Sequence, residues 1–192
     1  MSRIVCTTDR LILRCWTEAD RAPFVRHLNT PAVMRWLGGV QDEAHYTAAF
    51  DRIEGFERDF GHSFWIVEER ASGEILGFCG IKRVNAPGTD MTGQHEIGWR
   101  LRPDAWGRGI AKEAAIASLD LAFGRFEAPY IVALTVSGNE ASWGLMERLG
   151  MQRRTDLDFN DTRFGPDHNP TIVYGIGAAD WPAARAATLA PR

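Results

Sequence analysis

The sequence predicts a single mixed α/β domain, with antiparallel strands first and one parallel pair in the middle of the sheet. Three observations carry that expectation. Two apolar runs, "HSFWIVEE" and "EILGFCGIKRV", are joined by the turn "RASG", a hairpin by length and chemistry. Further on, the strand "HEIGWRLRP", a helix from Gly109 and the strand "YIVALTV" follow one another. A strand–helix–strand run of that length implies a right-handed crossover between parallel neighbours. Finally, 192 residues with 45% hydrophobic content suit one core, and neither a repeat nor a dividing linker interrupts the chain.

The remaining elements follow in order. "RLILRCW" (10–16) alternates and is rich in branched residues, so it reads as the first strand. "TEADRAPFVRHLN" begins with a capping Thr17 and sets Phe24, Val25 and Leu28 at helical spacing. In 42–60, Tyr46, Phe50, Ile53 and Phe56 recur every three or four residues, the stripe of an amphipathic helix. "NAPGTDMTGQ" (85–94) is a polar loop. After the crossover, "NEASWGLMERLG" (139–150) reads as a helix with Asn139 at its cap and Gly150 ending it. "MQRRTDLDF" and "HNPTIVYGIG" read as two final strands, and "AADWPAARAATLAPR" as an Ala/Pro-rich tail prone to fray. The expected organisation is one domain over 1–177 and a tail over 178–192.

Bulk chemistry narrows the functional classes. A net charge of −3 and a pI near 6.0 give no basic surface for nucleic acid. No apolar run approaches the roughly 20 residues that span a bilayer, so no membrane role is expected. Three cysteines without a CxxC pattern (Cys6, Cys15, Cys79) suggest reduced thiols and a cytoplasmic protein.

The chemistry-bearing stretch is "WGRGIAKEA", where glycines and basic residues coincide with a helix start. The free N–H groups and dipole of such a terminus suit an anion. Walker A spacing fails, because Lys112 follows Ala111 and precedes Glu113. A dinucleotide fingerprint would need a third glycine where Lys112 stands. His95-Glu96 begins like a zinc-protease motif, but Trp99 occupies the second ligand position, and no metal is expected. A phosphate-binding turn and a merely tight turn both remain open on this stretch alone.

"HEIGWRLRPDAWGRGIAKEA", followed one strand later by "VSGNEASWGLMERLG", resembles the GNAT superfamily of acetyl-CoA-dependent N-acetyltransferases, and within it the RimJ/RimL-like branch. The resemblance runs from "RLILRCW" to "TIVYGIG". It implies a mostly antiparallel sheet with a splayed central parallel pair flanked by helices. It further implies that Trp106, Gly107, Arg108, Gly109, Ile110, Ala111 and Lys112 cradle the pyrophosphate of coenzyme A. The edge at Trp99, Leu101 and Arg102 would pair with the pantetheine arm. Asn139 and Ser142 would lie beside the thioester, with Ser142 able to hydrogen-bond the departing thiolate. Many members carry a tyrosine acid in this last helix, and here Met146 stands at that position.

An amine attacks a thioester only when neutral. An α-amine of pKa about 7.7–8.0 is partly neutral at pH 7, whereas a lysine near 10.4 is not. A base is therefore needed, and Glu96 is the candidate, on one strand face with Gly98 and Arg100. Its structural alternative is a salt-bridged strand residue, for example with Arg100. Cys79, in an apolar strand without a helpful histidine, reads as a buried inert thiol, which favours direct transfer in a ternary complex. The acceptor is expected to be a peptide N-terminus, a polyamine or an aminoglycoside-like amine. Asp156, Asp158, Asp161 and Asp167 give the 156–170 loop an acidic bias, which suits either such a cation or simply a solvated polar hairpin loop. The alternatives are a coenzyme-A-binding relative with weak catalysis, or a nucleotide-phosphate module. The oligomeric state is left open, a homodimer included.

Overall fold

The computed structural model describes residues 2–190. Two short strands, β1 (Ile4–Thr7) and β2 (Leu11–Arg14), open the chain as a hairpin. The sequence predicts a first strand at 10–16; β1 precedes it because "IVCT" is itself β-branched and apolar enough to pair. A 3-10 turn (Glu18–Asp20) leads into α1 (Arg21–Leu28). The turn is held by Asp20, which accepts from the Thr17 N–H at 2.7 Å and from both Arg14 Nη atoms at 2.8 Å.

The short α2 (Pro31–Met34) follows, and then α3 (Glu43–Phe60), capped by Asp42 and stopped by Gly61 in the left-handed region at φ 72°. The central hairpin is β3 (Phe64–Glu69) and β4 (Ile75–Arg83), next to β5 (His95–Leu101). After a 3-10 turn at Pro103–Ala105 come α4 (Ile110–Gly124), β6 (Tyr130–Val136) and α5 (Glu140–Arg148). The chain closes with β7 (Gln152–Arg153), β8 (Thr171–Gly177) and α6 (Trp181–Leu189).

The eight strands form one sheet in the order β1-β2-β3-β4-β5-β6-β8-β7. Every pairing is antiparallel except β5 with β6, so the mixed architecture is as the sequence predicts. Alternation along β3 splits the core between the two faces: Trp65 and Val67 join the cluster beneath α4, α5 and α6, while Ile66 joins the aromatic cluster beneath α1 and α3.

Two late expectations are corrected. Of "MQRRTDLDF" only Gln152–Arg153 forms a strand: a 3-10 turn at Thr155–Leu157 interrupts the pairing, the Asp158 carboxylate takes the Val173 N–H at 3.1 Å in place of a backbone carbonyl, and Phe159 rejoins β8 by a single bridge to Thr171. The tail expected to fray forms α6 instead. Trp181 is buried in the main core and donates to Asp120 at 2.9 Å. The alanines that made this segment look featureless are good helix formers that let it pack closely.

Candidate active site

β5 and β6 pair only at His95–Ile131 and Glu96–Val132. Beyond those residues β5 stays with β4 through Leu101, and β6 stays with β8 through Val136. A slot therefore opens between two strands of one sheet, at their C-terminal ends, the usual place for a ligand in such sheets. The Arg102 N–H donates across to Leu76 on β4, at 2.8 Å. By alternation the amides of Trp99 and Leu101 face the slot. Arg102 does not: its N–H is committed to β4, its carbonyl accepts from the Ala105 N–H, and its side chain is ion-paired with Asp104 and Glu74.

At the mouth of the slot, Gly107 and Gly109 sit at φ 70° and 75°, a region that favours glycine over any L side chain. A Cβ on Gly107 would meet nothing within 4 Å, so the turn is open. None of the N–H groups of residues 107 to 112 finds an acceptor among the described residues. Ile110 is buried and Ala111 packs on the core, so these two present only backbone to the turn.

The basic residues are less free than their spacing suggests. Arg108 is paired with Glu69 at 2.6 Å, and Lys112 Nζ donates to the Thr188 carbonyl at 2.7 Å. Half-exposed Trp106 donates from Nε1 to the Leu101 carbonyl at 2.8 Å, closing the turn against β5. Arg10, which sequence spacing did not bring forward, braces the turn from the β1–β2 connection by donating to the Arg108 carbonyl at 2.9 Å.

On the other lip, Asn139 precedes α5 and its carbonyl accepts from Ser142 and Trp143 N–H groups. Its side chain caps nothing, contrary to the expected N-cap bond. Met146, at the position of the family's tyrosine, is buried in the core. Tyr174 donates to Glu147, Tyr130 accepts from Arg154, and Tyr46 lies in the aromatic cluster.

Glu96 is buried, with 9% of its surface exposed, and ion-paired with Lys82, its register partner on β4. The partner is not Arg100, as sequence alternation suggested. Between Glu96 and Arg100 lies Gly98, where a Cβ would come within 2.6 Å of Phe64 Cζ; the Phe64 ring occupies that space. Further along this face, Arg100 reaches Met34 Sδ at 3.4 Å and lies 5.4 Å over the Phe78 ring. Trp36 spans the top, with its indole where a Cβ on Gly138 would stand. Lys82, Phe64 and Trp36 were not legible as site residues, because each belongs to an element that reads as ordinary strand or loop.

The 156–170 loop borders the same face, and three of its four aspartates are paired locally, while Asp167 makes no ion pair among the described residues. Asp156, Asp158 and Asp161 pair with Arg154, Arg153 and Arg163 respectively. Cys79 is fully buried and its thiol is pushed up to about 12 by burial, which makes it a poor nucleophile. A separate cavity of about 460 Å³, lined by Arg83, His95, Tyr130 and Arg154, lies at the opposite ends of β5 and β6 and has no part in the slot.

The family model for the acetyltransferase (GNAT) domain matches residues 10–152. YkkB of Bacillus subtilis is 35% identical over 145 residues, covering 75% of this chain and 83% of that protein. L-2,4-diaminobutyric acid acetyltransferase of Chromohalobacter salexigens is 32% identical over 110 residues, 55% of each chain. Among solved structures, the acetyltransferase from Agrobacterium tumefaciens has a TM-score of 0.73 at 27% identity, covering 89% of this chain and 92% of that one. The matched span takes in the β5–β6 slot and the glycine turn at its mouth, and on that ground the chain belongs to the GNAT acetyltransferases and is an acyltransferase.

Proposed function

We propose that this enzyme moves the acetyl group of acetyl-CoA to a primary amine, by direct transfer with both substrates bound. The observation that carries this reading is the run of unclaimed amides at 107–112, at the head of α4 and beside the slot. Such donors, with the positive end of the helix dipole, suit a pyrophosphate. Gly107 and Gly109 present no Cβ to the turn, so the residues present fit the ligand. Trp106 to Lys112 would hold the phosphates mainly by backbone, and Trp99 and Leu101 would pair with the amide-bearing arm. When bound, acetyl-CoA supplies an activated thioester.

The chain's own groups then have these tasks. Glu96 takes the proton that the amine must lose, directly or through water, and Lys82, ion-paired with it, holds the carboxylate in position. Ser142, in the first turn of α5, stabilises the departing sulfur by a hydrogen bond, since Met146 offers no acid. Asn139 orients the same lip. The motif order supports a place near the RimJ/RimL-like branch, while the diaminobutyric acid relative supports a small-molecule amine. Cytoplasmic action accords with three free thiols.

Incubation with acetyl-CoA and a panel of peptides, polyamines, aminoglycosides and diamino acids tests the reading, with acetylated products detected by mass. Acetyl-CoA and CoA should raise the melting temperature where ATP and NAD do not. Stabilisation by ATP alone would sink the transferase reading.

A further inference from the structure

Arg100 is a half-buried cation that no carboxylate answers among the described residues. The neighbouring cations on this face are matched: Lys82 by Glu96, and Arg163 by Asp161. Arg100 has only the Met34 thioether at 3.4 Å, the Phe78 ring, and the Tyr46 hydroxyl. Its Nε is sealed from solvent without a partner. Burial pushes this guanidinium below its ordinary value, so its surroundings disfavour the charge it carries. A structural role would call for a bound acid, or for a methionine in its place. The residue is kept charged, uncompensated and partly open.

Its position supplies a reason. Glu96, Gly98 and Arg100 share one face of β5, and the Phe64 ring lies on Gly98 between the two charged residues. Strand spacing sets the Cα atoms of Glu96 and Arg100 about 13 Å apart. The face therefore reads, in order, as a carboxylate, an apolar ring and a guanidinium. We propose that the acceptor is a small amine that also bears a carboxylate, its amine toward Glu96, its alkyl chain on Phe64 and its carboxylate on Arg100. This rests on the transferase reading above. A guanidinium binds a carboxylate through two parallel N–H donors, which gives strength and orientation together.

Matched acceptors test it on the intact enzyme: 2,4-diaminobutyrate against 1,3-diaminopropane, ornithine against putrescine, lysine against cadaverine. Within each pair only the carboxylate differs. For at least one pair, kcat/KM should favour the diamino acid by about 10-fold or more. Arg100→Gln should remove that preference, mainly by raising KM for the diamino acid well beyond any change for the diamine, with Arg100→Lys retaining part of the preference. Acetyl-CoA-induced stabilisation of each variant reports whether it is folded. Equal use of the two members in every pair overturns the carboxylate site and leaves the transferase intact, and that comparison needs no variant. Equal losses on acid and diamine in a folded Arg100→Gln also overturn it. If no acceptor of any class is acetylated and acetyl-CoA does not bind, the transferase reading falls, and this proposal with it.

Discussion

Lys112 Nζ donates to the Thr188 carbonyl at 2.7 Å, so the first turn of α4 is fastened to the last turn of α6. The contact joins the turn proposed to hold coenzyme A to a segment that the sequence presents as an appendage. Thr188 in turn donates to the Arg148 carbonyl of α5 at 2.8 Å, so α6 bridges both helices that border the slot.

Trp181 anchors that helix, so Trp181→Ala should destabilise the protein by about 3 kcal/mol, the usual range for emptying a large buried aromatic site. Urea denaturation checks this. A change below about 1 kcal/mol would mean that α6 is dispensable to the core.

Gly109→Ala separates backbone strain from ligand binding. The left-handed φ of 75° should cost roughly 1 kcal/mol of stability. Gly93→Ala, at φ 87° with nothing within 4 Å of its Cβ, should cost about the same in a loop away from the slot. Only Gly109→Ala should weaken CoA binding, measured by calorimetry. Equal affinities in the two variants would argue against the cradle.

Glu96→Gln should reduce kcat/KM by about 10²–10⁴, the span of general-base catalysis, with CoA affinity nearly unchanged. The deficit should be largest at low pH and shrink as pH approaches the amine's own pKa, where free amine no longer needs a base. A rate equal to wild type across the pH range would remove Glu96 as base.

His95 gives a pH signature of folding. Burial, then the charges of Arg83 and His62, depress its pKa from 6.5 to about 4. The unfolded chain therefore binds a proton that the folded chain resists. The stabilisation is complete above pH 6.5, declines as pH falls, and is exhausted near pH 4. His95→Gln should flatten the melting temperature over this window relative to wild type. An unchanged slope would assign acid lability elsewhere, for instance to His62, whose pKa burial also lowers.

Local patterns made much of the fold legible. The stripe of Tyr46 and Phe50, the branched run 130–136 and the crossover length each specify an element from neighbouring residues, because period and turn chemistry are local properties. The glycine turn was legible for the same reason. What the turn's cations do was not: Arg108 and Lys112 meet Glu69 and Thr188, distant in sequence.

By itself the sequence determined the central hairpin, the parallel crossover and the position of the glycine turn. Tertiary structure alone decided which amides remain unclaimed among the described residues, that Lys82 rather than Arg100 pairs with Glu96, and that Arg100 has no acid beside it among those residues. Those outcomes depend on which side chains the sheet register and the covering loops bring within hydrogen-bond reach. Charge balance at a buried site is a property of the assembled neighbourhood, and no single segment carries it.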